Sequence, residues 1–104
     1  MELRLLPQVA REIKNETPEL KQSVFGTLDR IGRGESIGMP LCRPLSSIAK
    51  GLYEIRLSHR AGEYRVFYYI KVHEAIYVIH AMRKKSQKLE QRTVSVLLSR
   101  IRSL

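Results

Sequence analysis

Apolar and polar residues alternate in three consecutive segments of the second half of the chain. The segments cover residues 52–58, 63–70 and 75–82, and each is rich in Tyr, Ile, Val, Leu or Phe, which are residues that favour strands. The links between them, residues 59–62 and 71–74, are short, and links of this length join antiparallel neighbours. The pattern therefore predicts a three-stranded β-meander.

The alternation also predicts how these strands are aligned. If the first link has four residues, Ser58 faces Glu63, and one face of the pair carries only apolar or aromatic residues. A slip of one residue would move arginines into that face, so the hydrophobic pattern supports the alignment. The predicted core face contains Tyr53, Ile55, Leu57, Tyr64, Val66, Tyr68 and Tyr77.

The opposite face of the predicted sheet places Arg56 directly across from Arg65. Like charges in this position repel, so we expect an anion bound between them to offset the repulsion. We also expect that replacing either arginine by alanine leaves the fold intact. If Ile70 faces Ala75 in the second hairpin, His80 lies beside Arg65.

The first half of the chain has the spacing of helices. Residues 2–6 fit a short edge strand, and Pro7 opens a helical segment at residues 8–14. Thr17, Pro18 and Glu19 suit the cap, first position and first turn of a second helix, which Gly32 or Gly34 ends. We expect the two helices to form an antiparallel hairpin on the sheet.

Two further segments complete the predicted organisation. Residues 33–50 contain several Gly and Pro residues and are predicted to be an irregular connector strapped across the sheet. Residues 89–104 have apolar residues at helical spacing and predict an amphipathic C-terminal helix. The predicted fold is therefore a single α+β domain over residues 1–104, with a helical hairpin packed on a small antiparallel sheet.

Composition narrows the class of protein. No apolar run has the length of a membrane span, and the N-terminus lacks the apolar segment and cleavage site of a signal peptide. The lone Cys42 cannot form an internal disulfide, and no Cys/His spacing suggests a zinc site. We therefore expect a cytoplasmic protein without a membrane, metal or cofactor partner.

The charge is strongly basic and unevenly distributed. The chain carries a formal net charge of +9, of which residues 1–50 contribute +2 and residues 51–104 contribute +7. A basic half indicates a polyanionic partner, usually nucleic acid or a nucleic-acid machine.

Three motifs, in this order and spacing, carry a resemblance to a known family. The segments GLYEIRL, EYRVFYYI and IHAMRKKSQK resemble the phage-derived HigB-like branch of the RelE/ParE toxin superfamily, and the likeness extends over nearly the whole chain. The resemblance implies a RelE-like fold and a bacterial or prophage toxin–antitoxin module. It also implies a ribosome-dependent mRNA endoribonuclease and a small antitoxin partner, commonly a helix-turn-helix protein.

The resemblance implies site residues one by one. Arg65 matches the arginine that contacts the scissile phosphate, and Arg56 matches a basic position on the preceding strand. Lys84 and Lys85 match the basic pair after the last strand, while Glu54 occupies a position where some relatives have lysine. The C-terminal tyrosine or histidine of several nucleases of the superfamily has no counterpart in residues 88–104. This departure leaves open a ParE-like gyrase inhibitor, or a basic binding module without catalysis.

The residue types suit metal-independent cleavage of RNA. Arg56 and Arg65 can stabilise charge on the phosphate, since a guanidinium matches its oxygens. Lys84 or Lys85 can protonate the leaving 5′-oxygen or only bind phosphate, and His80 or Glu54 can accept the proton of the 2′-OH. His80 could instead be a structural residue, and Glu54 an ion-pair partner of the arginines. Further phosphate-binding candidates are Arg83, Lys85, Lys88, Arg43 and Lys50.

Overall fold

The α+β architecture predicted from the sequence is confirmed. The structure is a computed structural model that describes residues 1–59, 62–72, 74–84 and 88–104, with the backbone alone at His59 and Lys84. Its elements in chain order are β1 (Leu3–Leu5), α1 (Pro7–Ile13), α2 (Pro18–Gly32), β2 (Cys42–Pro44), β3 (Leu52–His59), β4 (Gly62–Lys71), β5 (Ala75–Lys84) and α3 (Gln91–Arg102). No helix in the described ranges is long and apolar enough to cross a membrane.

The five strands form one sheet in the order β1-β5-β4-β3-β2. Strand β1 pairs in parallel with β5, as an edge strand, and the other neighbours are antiparallel. The connector predicted to be irregular contains β2, which pairs with β3 at the opposite edge. Three residues ending in proline are too few to show the two-residue periodicity of a strand, so the pattern did not indicate β2.

The predicted register of β3 and β4 is confirmed, and that of β4 and β5 is wrong. Arg56 lies opposite Arg65, and Ser58 lies opposite Glu63. In the second hairpin Lys71 pairs with Ala75, so the link has one residue fewer than predicted, and the register shifts again between Phe67 and Tyr68. This bulge leaves Arg65 opposite Met82 rather than beside His80.

Helices cover both faces of the sheet. On one face, residues of α1 and α2 such as Val9 and Leu28 pack with Ile55, Val66 and Tyr68. On the other face, Leu97 of α3 packs in a second cluster that contains Leu52, Phe67, Tyr77 and Ile79. The prediction that Tyr77 shares the face of Tyr68 is therefore wrong, because the altered register of the second hairpin reverses its side.

The predicted start of α2 is confirmed in its details. The Thr17 hydroxyl accepts a hydrogen bond from the Leu20 amide at 3.2 Å, and Pro18 and Glu19 occupy the first turn. The helix ends at Gly32, and Gly34 follows with a φ of 91°, a conformation that glycine adopts without strain.

Candidate functional site

A buried carboxylate joins the two facing arginines. Glu54 Oε1 accepts a hydrogen bond from Arg56 Nε at 2.8 Å, and Glu54 Oε2 accepts one from Arg65 Nη1 at 3.1 Å. Glu54 and Arg56 are two residues apart on β3 and share a face, and the register brings Arg65 to the same face from β4. The expected repulsion between the arginines is therefore offset by Glu54 rather than requiring a bound anion.

Arg65 lies deepest in this cluster. Its side chain is 0% exposed, and its Nη2 donates to Glu63 Oε1 at 3.0 Å. A guanidinium without access to water needs carboxylate partners, and Arg65 has two. Glu54 is 1% exposed and Arg56 is 14% exposed, so Arg56 is the member of the Glu54–Arg56–Arg65 cluster with the most access to solvent.

A cavity of about 310 Å³ opens beside Arg56, and we call it the arginine cavity. It contains two guanidinium groups, one carboxylate and one hydroxyl, together with apolar walls from the connector and β3. Arg43 enters it from β2, where it pairs across the strands with Glu54. Its full lining is Pro40, Leu41, Arg43, Arg56, Leu57, Ser58 and Glu63.

His80 belongs to a different cluster, outside the arginine cavity. Its Nδ1 lies 3.0 Å from Glu12 Oε2 of α1 and 3.0 Å from Arg100 Nη1 of α3, and its ring stacks on Phe67. The side chain is 13% exposed. The structure thus joins His80 to two helices, and not to Arg65 as the predicted register had it.

Glu12 is the centre of the His80 cluster. It accepts hydrogen bonds from the Ala81 amide and Arg100, each at 3.0 Å, in addition to its contact with His80. Burial favours a higher pKa for this carboxyl, but the contacts with His80, Ala81 and Arg100 outweigh it, and the pKa of Glu12 is lowered. Since Arg100 also donates to the Ile79 carbonyl at 2.8 Å, these side chains cover the edge of β5 beyond the end of β1.

Arg83, the first residue of the predicted basic run, points to the helices and not to the arginine cavity. Arg83 pairs with Tyr64 across the strands and donates from Nη2 to Glu16 Oε1 at 2.6 Å, on the side of α1 and α2. Its guanidinium lies 5.6 Å from the centre of the Tyr64 ring, and burial raises the pKa of Tyr64 to about 12. Arg83 therefore lies across the sheet from the Glu54–Arg56–Arg65 cluster.

The remaining predicted phosphate-binding residues are dispersed. The Lys84 backbone lies opposite Glu63, whereas its side chain and the whole of Lys85 fall outside the described residues. Lys88 is exposed just before α3. Lys50 lines a separate cavity of about 450 Å³ with Gly51, Tyr53, Tyr69, Ile70 and Val72. Of these candidates, the structure brings Arg43 to Arg56.

Glu54 apart, the acidic partners of these cations were not predicted from the sequence. Glu63 is two residues before Arg65 on β4, so alternation alone places it on the same face. Glu12 and Glu16 come from α1 and the turn after it, and no local pattern links them to β5. Within the described ranges, no group of three His, Cys, Asp or Glu side chains could hold a metal ion.

The fold and the cluster together define a small α+β domain with a cationic cavity at one edge of its sheet. The family model for phage-derived Gp49-like proteins (DUF891) matches residues 11–102. The chain therefore belongs to the phage-derived Gp49-like family. This agrees with the phage-derived character of the resemblance, while the HigB-like branch stays a prediction.

A search of the curated proteins finds no match. Among solved structures, a mutant of the E. coli toxin RelE in the free state is similar with a TM-score of 0.46 and 16% sequence identity, over 99% of this chain and 96% of that chain.

Proposed function

We propose that the chain is the toxin of a type II toxin–antitoxin module and that it cleaves mRNA on the ribosome without a metal ion. The observation that carries the proposal is the arginine cavity, which both Arg43 and Arg56 line. Membership of a phage-derived family and the net charge of +9 support it. Two guanidinium groups with partial access to solvent are suited to bind a phosphate diester.

Arg56 and Arg65 differ in solvent exposure, and we therefore assign them different roles. Arg56 has solvent access and is held by Glu54 at 2.8 Å, so we assign it the stabilisation of charge on the phosphate. Arg65 has none, so we assign it the positioning of Glu54 and Glu63 rather than a direct contact. Lys84, whose backbone lies opposite Glu63, is proposed to protonate the leaving 5′-oxygen.

The other predicted residues have graded roles in the proposal. Arg43 binds phosphate next to Arg56, and Lys85 and Lys88 contact nucleic acid. Lys50 and Arg83 lie outside the arginine cavity and would at most contact ribosomal RNA. His80, held by Glu12 and Arg100, is proposed to stabilise the attachment of α1 and α3 to the sheet.

The proposed module has a small antitoxin as its second component, which we expect to be a helix-turn-helix protein. It would act in the cytoplasm, where ribosome and mRNA are the remaining partners. The ribosome aligns the RNA, because the chain supplies basic groups without a strong acid–base pair among its predicted residues.

Mapping mRNA 5′ ends shortly after induction in a bacterial host tests the proposed function. The proposal predicts growth arrest together with new 5′ ends at a fixed position within codons. Arrest with intact mRNA and loss of DNA supercoiling would favour the gyrase-inhibiting alternative. Normal growth, with the protein shown to be expressed and folded, would favour a binding module without catalysis.

A further inference from the structure

The arginine cavity is lined by a carboxylate residue that has no role in the predicted site. Glu63 lines the cavity together with Arg43, Arg56 and Ser58, and its side chain is 29% exposed. We propose that Glu63 is the catalytic base of this site, taking the proton from the 2′-OH of the nucleotide that is cut. The inference rests on the proposed ribonuclease function and adds the residue that performs its proton transfer.

Glu54 and His80, the two bases predicted from the sequence, are poorly placed for this step. Glu54 is 1% exposed, and each of its oxygens accepts a hydrogen bond from an arginine. A carboxylate buried in this way cannot come within hydrogen-bond reach of the 2′-OH of a bound nucleotide. His80 lies outside the cavity lining, between Glu12 and Arg100.

The buried Arg65 orients the side chain of Glu63. Arg65 Nη2 holds its Oε1 at 3.0 Å, and Arg65 is itself fixed by Glu54 through Nη1 at 3.1 Å. The side chain nevertheless retains solvent access, unlike Glu54. An oriented and accessible carboxylate is the arrangement that proton abstraction requires.

The arginine cavity borders the end of β3 beside Glu63. Strand β2 pairs with β3 only as far as Cys42 opposite Ile55, and the Arg56 amide donates to the Leu41 carbonyl at 2.8 Å. Backbone groups of a strand alternate in direction, so the amide of Ser58 faces the same side as that of Arg56, beyond the end of β2. Because Ser58 lies opposite Glu63, this donor can bind a phosphate oxygen near the base.

The proposed step is balanced without a further reactant. Glu63 takes the 2′-OH proton as the 2′-oxygen forms a bond to phosphorus, while Arg56 and Arg43 stabilise the added negative charge. The bond between phosphorus and the 5′-oxygen then breaks, and the 5′-oxygen takes a proton from the Lys84 ammonium. The products are a 2′,3′-cyclic phosphate and a 5′-hydroxyl, and solvent returns both side chains to their starting states.

Single-turnover cleavage of mRNA on programmed ribosomes tests the role of Glu63 with two variants. Glu63→Gln keeps the size and a hydrogen-bond acceptor for Arg65 but removes the base, whereas Glu63→Asp keeps a shorter carboxylate. The proposal predicts a rate loss of about 100-fold or more for Glu63→Gln, with ribosome affinity unchanged, and a smaller loss for Glu63→Asp. The matched control is Glu35→Gln, because Glu35 pairs with Arg30 at 3.0 Å on the helical side of the molecule. This control variant should cut at the wild-type rate.

The order of the two Glu63 variants distinguishes a base from a support for Arg65. If Glu63 only positions Arg65, the isosteric Gln variant cuts faster than the Asp variant, and this order would overturn the inference. Wild-type rates in both variants would overturn it as well. Failure of the wild-type protein to cut at all would instead overturn the proposed function, which keeps the two outcomes distinct.

Discussion

Glu54 Oε2 lies 3.1 Å from Arg65 Nη1, and neither side chain is more than 1% exposed. A buried ion pair contributes little net stability as a whole, but loss of one partner leaves an uncompensated buried charge. The pair also orients the two side chains that line the arginine cavity, because Glu54 accepts a hydrogen bond from Arg56 and Arg65 donates one to Glu63. The exposed groups of the arginine cavity are thus supported by a buried layer of opposite charges.

Arg65→Ala is expected to destabilise the protein. The substitution leaves Glu54 with Arg56 alone and removes a partner of Glu63, and breaking a buried pair costs about 3–5 kcal/mol. This reverses the expectation from sequence, which considered only the repulsion between Arg56 and Arg65. Urea unfolding followed by circular dichroism measures the change, and an unaltered unfolding midpoint would show that Glu54 does not depend on Arg65.

Arg56→Ala should abolish toxicity while the fold persists. Glu54 keeps its bond to Arg65 in this variant, and Arg56 is partly exposed, so we expect a loss of stability clearly smaller than for Arg65→Ala. Loss of a charge-stabilising donor typically lowers a rate by about 100–1,000-fold. Growth after induction and thermal melting report the two effects, with Arg30→Ala on α2 as the control. Toxicity retained by a folded Arg56→Ala protein would place the site elsewhere.

The contacts of Glu12 in the His80 cluster should make the stability of the fold decrease at acidic pH. Because the pKa of Glu12 is lowered in the folded state, its contribution to stability is present above the unfolded pKa and is lost as the pH falls through the folded pKa. We expect Glu12→Gln to lower the melting temperature at neutral pH. The melting temperature of this variant should also differ less between neutral and acidic pH than that of the wild type. Melting curves from pH 7 to pH 3 check this, with Glu19→Gln as a control on the surface of α2. Equal pH dependence in wild type and Glu12→Gln would contradict it.

Association with the antitoxin should depend on salt. The half of the chain with a charge of +7 favours an acidic partner, which we expect to cover Arg56, Lys84 and Lys85 or to dock beside them and block the ribosomal site. Exposed charges steer association and are screened over roughly 8–10 Å at physiological ionic strength. Association rates measured from low to high salt should therefore fall. Flat rates, with an interface on α1 and α2, would imply indirect inhibition.

Apolar contacts of the antitoxin are expected on α3 rather than on the sheet. The sequence suggested Leu97, Leu98 and Ile101 for this role. Leu97 is 0% exposed and packs on the sheet, whereas Leu98 and Ile101 are partly exposed. The accessible part of that surface is therefore formed by Leu98 and Ile101.

The sequence predicts the centre of this fold better than its edges. The pairing of Arg56 with Arg65 follows from alternation, because any slip would bury charge in an apolar face. The shorter link of the second hairpin and the bulge between Phe67 and Tyr68 have no such signal, since the segments on both sides are apolar. The shorter link moves Tyr77 from its predicted position, and the link and the bulge together move His80. Strand β2 was too short to be predicted.

The site residues were predicted incompletely for a similar reason, because a local pattern does not show contacts between distant segments. Alternation gives the face of Arg65 but not its depth, which depends on the partners Glu54 and Glu63. Contacts between distant elements, such as Arg83 with Glu16 and His80 with Glu12, carry no local pattern. The charge run that ends β5 therefore suggested one phosphate-binding group, whereas the structure directs Arg83 to the helical face.

Cleavage by the purified protein, with and without ribosomes, tests the central claim most directly. The same mRNA is offered bound to ribosomes with a defined codon in the vacant decoding site, and free in solution in two reactions, one with divalent ions and one with a chelator. The account predicts cuts in the ribosome-bound mRNA at that codon and little cutting of free RNA. Efficient, metal-dependent cutting of free RNA, or intact mRNA on ribosomes at saturating protein, would contradict it.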